Sequence, residues 1–118
     1  TGAKIRGIAG LVIDGYVRDQ VELVEMEFPV FAAGLSIRGT AKKFEKKGTI
    51  GETITIGEIN IKHGDLVLGD NDGVVIIPFE RIEEGIAKSI ERENKETITK
   101  NRLLNGETSL EIYGWSED

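Results

Sequence analysis

The amino-acid sequence predicts a mixed α/β fold, and three stretches predict it. Leu11-Val12-Ile13 is a short, continuously apolar run bounded by Gly10 and Asp14-Gly15, the pattern of a strand covered on both faces. Residues 19–27 then space Val21, Val24 and Met26 among acids, and the apolar residues 28–32 follow. That gives the order strand, turn, helix, strand. Far downstream, Phe79, Ile82, Ile86 and Ile90 recur three, four and four residues apart, the spacing of one helix face.

The remaining elements follow in chain order. Residues 1–6 read as the end of a helix stopped at Gly7, because basic residues and a terminal glycine suit a helix C-terminus. Asp19 stands near the start of the next helix, where an acid is favoured. Pro29 opens the returning strand, where its missing N–H does least harm. Residues 34–51 turn to Gly, Ser, Thr and Lys, a long loop. Thr53-Ile54-Thr55-Ile56 and Ile59-Asn60-Ile61 flank Gly57-Glu58, which suits a type II′ hairpin. Leu66-Val67-Leu68 and Val74-Val75-Ile76-Ile77 flank Asp70-Asn71-Asp72-Gly73 as a second hairpin, and Pro78 ends the sheet. One long helix is expected over residues 79–104, with residues 105–118 as a tail, all within a single domain spanning 1–118. Residues 91–100 are polar apart from Ile98, with Glu91/Lys95 and Glu96/Lys100 spaced to pair. This half is expected to project into solvent or onto a neighbouring subunit.

Composition narrows the chemistry. At 118 residues, with 39% apolar and 31% charged side chains, the chain has the make-up of one globular domain. It lacks cysteine, which removes disulfides, thiolate nucleophiles and Cys-type metal sites. With no apolar leader segment, this fits a cytoplasmic protein, and no window approaches a membrane span. The formal charge is −6, and the excess lies in the second half: residues 1–60 carry eight charges of each sign, residues 61–118 seven basic and thirteen acidic. That balance argues against nucleic acid as a partner. The one basic cluster, Lys42-Lys43 and Lys46-Lys47, reads as a solvated loop.

Among candidate functional residues, Arg18 and Asp19 stand out, lying between a strand and a helix, where open α/β sheets bind ligands. Arg18 offers a planar fork for a carboxylate and Asp19 a hard oxygen for a divalent cation. Spacing alone favours an Arg18–Glu22 helix pair with Asp19 as a helix-start acid. His63 reads as a turn residue, since no second His or Cys accompanies it. Asp65, Asp70 and Asp72 have turn chemistry rather than the spacing of a calcium loop. Ser36 lacks a nucleophile-elbow context, and Tyr113 and Trp115 are expected to pack the tail.

Three stretches together resemble the RraA-like family. They are Gly7-Ile8-Ala9-Gly10-Leu11-Val12-Ile13-Asp14-Gly15-Tyr16-Val17-Arg18-Asp19, Phe28-Pro29-Val30-Phe31-Ala32-Ala33-Gly34, and residues 64–78 from Gly64-Asp65-Leu66 to Ile76-Ile77-Pro78. The resemblance implies a β/β/α swivelling-type α/β fold, assembled as homotrimers or hexamers. It also implies the divalent-metal-dependent branch, which cleaves 4-hydroxy-4-methyl-2-oxoglutarate and 4-carboxy-4-hydroxy-2-oxoadipate to pyruvate, with oxaloacetate decarboxylation as a side activity. In that reading Arg18 grips the 2-oxo acid and Asp19 ligates Mg2+ or Mn2+. Glu22 completes the motif, and Glu96 is the best match for an acid contributed to a neighbouring subunit's site. The branch that regulates ribonuclease by protein binding typically has glutamine where Asp19 stands, so a non-catalytic regulator is the alternative. The resemblance also implies a further N-terminal part, with a glycine-rich loop and an acid some twenty residues before the arginine; that acid falls before Thr1. The expectation is therefore a C-terminal portion of a longer protein, or one completed by another chain, with the general base a water or that upstream acid.

Overall fold

A computed structural model describes residues 1–39 and 48–115. The lysine cluster at residues 42–47 lies outside them. The chain divides into two compact units, Thr1–Pro78 and Phe79–Asp118.

The first unit opens with a one-turn helix, α1 (Gly2–Ile5), stopped at Gly7, whose φ of 74° is one that glycine adopts without steric cost. Strand β1 (Leu11–Val17) follows, then helix α2 (Gln20–Glu25) and strand β2 (Val30–Leu35). β1 and β2 pair in parallel, Leu11 opposite Val30 through Val17 opposite Leu35. Parallel neighbours need a crossover of about a dozen residues, and residues 18–29 with α2 supply it.

Two boundaries differ from those read in the sequence. Asp14-Gly15 was expected to end the first strand; instead the strand runs on to Val17, and the register shifts between Ile13 and Tyr16. A bulge absorbs the turn-forming pair without breaking the ladder. Likewise β2 continues through Ala33 and Gly34 into the expected loop. Gly34 serves there because the Tyr16 ring presses on it: an added Cβ would lie 3.0 Å from Tyr16 Cε1.

Two antiparallel hairpins complete this unit, β3 (Ile54–Ile56) with β4 (Ile59–Ile61) and β5 (Leu66–Gly69) with β6 (Val74–Ile77). In the first, Gly57 has φ 58° while Glu58 keeps a negative φ, the signature of a type II′ turn. In the second, Asp70 Oδ1 accepts from the N–H groups of Asp72 (2.8 Å) and Gly73 (3.3 Å), so this acid is spent on the turn. Asp65 Oδ2 similarly accepts from the N–H of Lys62 at 2.8 Å, closing the bend that carries the exposed His63.

The hairpins meet the parallel pair across an apolar cleft of about 450 Å³ whose lining includes Phe31, Ile54, Ile61, Val67 and Ile76. Packing is tightest where the Phe31 ring covers Gly69, whose Cβ, if present, would lie 2.4 Å from Phe31 Cζ. Even so, no described residue is buried. Leu11 and Ile13, expected to be covered on both faces, are 43% and 38% exposed. Their strand has one described neighbour, β2, and no described layer closes over that face.

The second unit begins with a 3₁₀ turn (Phe79–Arg81) that leads into α3 (Ile82–Leu104). Its apolar stripe stays open, with Ile86 48% and Ile90 55% exposed. The expected Glu91/Lys95 and Glu96/Lys100 pairs are replaced by Lys88–Glu84 (2.5 Å) and Arg92–Glu96 (2.7 Å). Each side chain has two neighbours of opposite charge in reach along a helix, and here the longer arginine takes Glu96. Hydrogen bonds from Lys88 first and Arg81 second hold the Glu84 carboxyl below its ordinary pKa.

The expected tail contains a further helix, α4 (Ser109–Tyr113). The signal for it was Thr108-Ser109-Leu110-Glu111, a capping box: Thr108 Oγ1 accepts from the Glu111 N–H (3.2 Å), and Glu111 Oε2 accepts from the Thr108 N–H (2.8 Å). Arg102 bonds Glu107 at the turn before it, and the Tyr113 and Trp115 rings stack at 5.2 Å.

Two outcomes follow. Gly69→Ala forces the Phe31 ring to move and lowers stability by about 1–3 kcal/mol, measured by denaturant unfolding of the full chain. The Glu111 carboxyl is held below its ordinary pKa by the Thr108 backbone N–H, then by its hydroxyl. A depressed folded-state pKa gives stability present above the unfolded value and lost as pH falls through the folded one. Acidification through the carboxylate range therefore frays α4, read as a change in Trp115 fluorescence that Glu111→Gln shifts or removes.

Candidate functional site

The parallel ladder decides where the candidate residues stand. Val17 closes β1 opposite Leu35, which closes β2, so both strands release the chain at the same sheet end. Arg18 and Asp19 follow one exit; Ser36, Ile37 and Arg38 follow the other. The Ser36 N–H donates to the Val17 carbonyl at 2.9 Å, extending the ladder one step past the last paired residues. The Arg38 N–H then donates to Ser36 Oγ at 3.3 Å, bending the chain back beside Arg18's exit.

Between the exits and α2 lies a cleft of about 590 Å³. Leu11, Val17, Leu23, Met26 and Phe28 contribute its apolar wall; Tyr16, Arg18, Ser36 and Arg38 contribute polar groups. Apolar walls with a few convergent polar groups are what a small-molecule site requires. A neighbouring cleft of about 500 Å³ is walled by Val24, Val30, Ala32 and Leu35 and has no Arg or Lys among its described lining residues, so it lacks a charged group to orient an anion.

Asp19 is the N-terminal boundary residue of α2, yet it is not used as a cap: its side chain accepts no hydrogen bond from the helix. Its φ of 62° is left-handed, a conformation Asp tolerates better than most residues and one that concentrates at functional sites. The carboxylate turns to its neighbour instead, with Arg18 Nε 3.4 Å from Asp19 Oδ2. The Arg18–Glu22 pair that spacing allowed does not form. Glu22 lies in the first turn of α2, its carboxylate without an ion-pair partner among the described residues.

These oxygens fit a hard, largely hydrated cation. Among the described residues no three His, Asp or Glu side chains converge, which excludes a site built wholly of protein ligands there. Mg2+ takes only one or two carboxylates and keeps several waters, and Asp19 with Glu22 one turn on matches that demand.

Glu96 belongs to the second unit, where its carboxylate accepts from Arg92 at 2.7 Å and raises the arginine's pKa. The structure thus groups Arg18, Asp19 and Glu22 on one stretch of chain and places Glu96 on another. Arg38 was passed over as a loop residue in the sequence; the signal was the parallel register, which sets the residues after one strand beside those after the other.

Sequence comparison places the chain in a family. The RraA-like family profile, described as Aldolase/RraA, matches residues 1–76, and the chain belongs to the RraA-like family. An uncharacterized protein of Methanocaldococcus jannaschii is 35% identical over 110 residues, covering 93% of this chain and 52% of the relative. A protein of Halalkalibacterium halodurans, provisionally named as a 4-hydroxy-4-methyl-2-oxoglutarate aldolase, is 32% identical over 111 residues, covering 94% of this chain and 52% of the relative. The 4-hydroxy-4-methyl-2-oxoglutarate aldolase of Thermus thermophilus is 32% identical over 73 residues, covering 62% of this chain and 43% of the relative. A crystal structure of an uncharacterized protein from Pseudomonas syringae pv. tomato superposes with a TM-score of 0.77 at 25% identity, over 91% of this chain and 53% of that one. The α/β, RraA-like fold is therefore established. The chain spans about half the length of the first two curated relatives. Among the described residues no helix is long and apolar enough to cross a membrane.

Proposed function

We propose that this protein acts as a divalent-metal-dependent aldolase, a lyase that cleaves 4-hydroxy-2-oxo di- and tricarboxylic acids and releases pyruvate. The observation that carries the reading is Arg18 and Asp19 side by side at the carboxyl end of β1, with Asp19 left-handed and unused as a helix cap. The aldolase names of the relatives support it.

The reaction has modest demands. The C4 hydroxyl gives its proton to a base, a water or a carboxylate, the C3–C4 bond breaks, C4 becomes a carbonyl, and the bond's electron pair stays on C3 of the three-carbon fragment, which takes up a proton there to become pyruvate. Loss of carbon dioxide from oxaloacetate leaves the same electron pair on the same carbon, so oxaloacetate decarboxylation belongs to the proposal. The Arg18 guanidinium binds the carboxylate next to the 2-oxo group through two parallel hydrogen bonds and fixes the fragment's plane. Asp19 would hold the cation, Mg2+ or Mn2+, with Glu22 acting through one of its waters. When bound, that cation supplies Lewis-acid stabilisation of the charge developing at the 2-oxo group. The apolar wall of Leu23, Met26 and Phe28 limits water beside the reacting carbon.

Assembly completes the proposal. The described apolar side chains are all at least partly open to solvent, and apolar surface of this extent marks interaction sites. We place the chain in a homotrimer or hexamer in which α3 beyond Glu91 packs on a neighbouring subunit and brings Glu96 towards that subunit's Arg18 and Asp19.

Asp19→Asn tests the chemistry. In the complete protein it is expected to cut pyruvate release at limiting Mg2+ by at least about 100-fold, because the amide keeps the shape but loses the charge that holds a hard cation. The unfolding midpoint stays level or rises, since no cap is lost and Asn accepts the left-handed conformation. A lactate dehydrogenase-coupled assay reads the first and thermal unfolding the second. Wild-type protein that releases no pyruvate would favour the protein-binding regulator instead. Assembly is tested by ending the chain at Ile90: sedimentation should show a smaller species, and an unchanged oligomer would make the rest of α3 a solvated tail.

A further inference from the structure

The cleft at the strand exits has two arginines where one would suffice for a 2-oxo monocarboxylate. Arg18 and Arg38 both line it, and among the described residues no Asp or Glu does. In a chain of net charge −6, with equal numbers of acids and bases in its first sixty residues, two arginines on one cleft are a local concentration of positive charge. Arg18 has a carboxylate partner, Asp19, at 3.4 Å. Arg38 has no ion-pair partner among the described residues, although its backbone is fixed by the Ser36 hydroxyl at 3.3 Å and Ser36 in turn by Val17 at 2.9 Å. Its backbone is thus anchored at the cleft while its exposed side chain stays available to an anion.

We infer that Arg38 is the specificity-determining residue for the substrate's far end: it binds the carboxylate remote from the 2-oxo group while Arg18 binds the near one. This rests on the aldolase reading above for the identity of the near group. It restricts the substrates to 2-oxo acids with a second carboxylate on the carbon chain, and it makes a 2-oxo monoacid a poor ligand. Ser36 has a part in it, because its hydroxyl positions the Arg38 backbone and stands in the same cleft. The selectivity comes from paired opposite charges aligned by the register of two parallel strands. A hydrogen bond to a charged group contributes enough that losing this partner should weaken binding about 10- to 100-fold.

Calorimetric titration of the full protein in saturating Mg2+ tests this with two probes that contain no aldol bond to cleave, pyruvate and 2-oxoglutarate. Wild type is expected to bind 2-oxoglutarate at least about tenfold more tightly than pyruvate. Arg38→Gln should bring that ratio close to one, Arg38→Lys should leave it between the two, and Arg18→Gln should weaken both probes together. A wild-type ratio near one, or a ratio that Arg38→Gln leaves intact, would overturn the assignment. Unfolding midpoints of the variants confirm that each is folded as the wild type is. Because the titration reads binding, a protein that binds the diacid through Arg38 yet releases no pyruvate would refute the lyase reading and keep this one.

Discussion

The parallel pairing of β1 with β2 is the constraint on which the rest of the first unit depends. Parallel strands cannot be joined by a tight turn, so the chain must cross over, and that crossover is α2 with its left-handed Asp19 at the start. The same pairing sends both strands out at one end. Val17 faces Leu35 across the last rung, and the Ser36 N–H adds one hydrogen bond beyond it. Everything proposed about chemistry here follows from that shared exit, because it brings two segments far apart in sequence to the mouth of one cleft.

Asp19 shows how local geometry and function meet. A residue at this boundary usually accepts a hydrogen bond from the first turn of the helix; Asp19 makes none and takes up a positive φ instead. The bland alternative, a helix-start acid beside an Arg18–Glu22 pair, would have used each of these side chains for stability. The structure leaves Asp19 against Arg18, and Glu22 without an ion-pair partner among the described residues, an arrangement that a cation and an anionic ligand together could exploit. Exposed pairs of this kind add little stability in themselves.

The second unit has a different economy. The ion pairs along α3 are exposed and add little stability. Its apolar stripe at Ile82, Ile86 and Ile90 is not buried. The capping box of α4 and the Arg102–Glu107 bond finish the chain with local contacts. In proteins most helical stability comes from packing of an apolar face rather than from such local terms.

The sequence by itself determined the order of elements through α3 and the positions of the two hairpin turns. Leu11-Val12-Ile13, the Gly57-Glu58 and Asp70–Gly73 connections and the three-and-four spacing from Phe79 are local signals, and local signals are decided by backbone sterics and side-chain period. The Thr108–Glu111 capping box was equally local and equally readable, though it was taken for a tail. Arg18 and Asp19 could be singled out because strand, arginine, acid and helix are contiguous. Only the tertiary structure decided that Asp14-Gly15 is a bulge inside a strand rather than its end, since a bulge is defined by the partner strand. It alone showed that Gly69 exists for the Phe31 ring, and that Arg38 shares a cleft with Arg18. Those facts depend on which strand pairs with which and in what register, and no stretch of one strand contains that information.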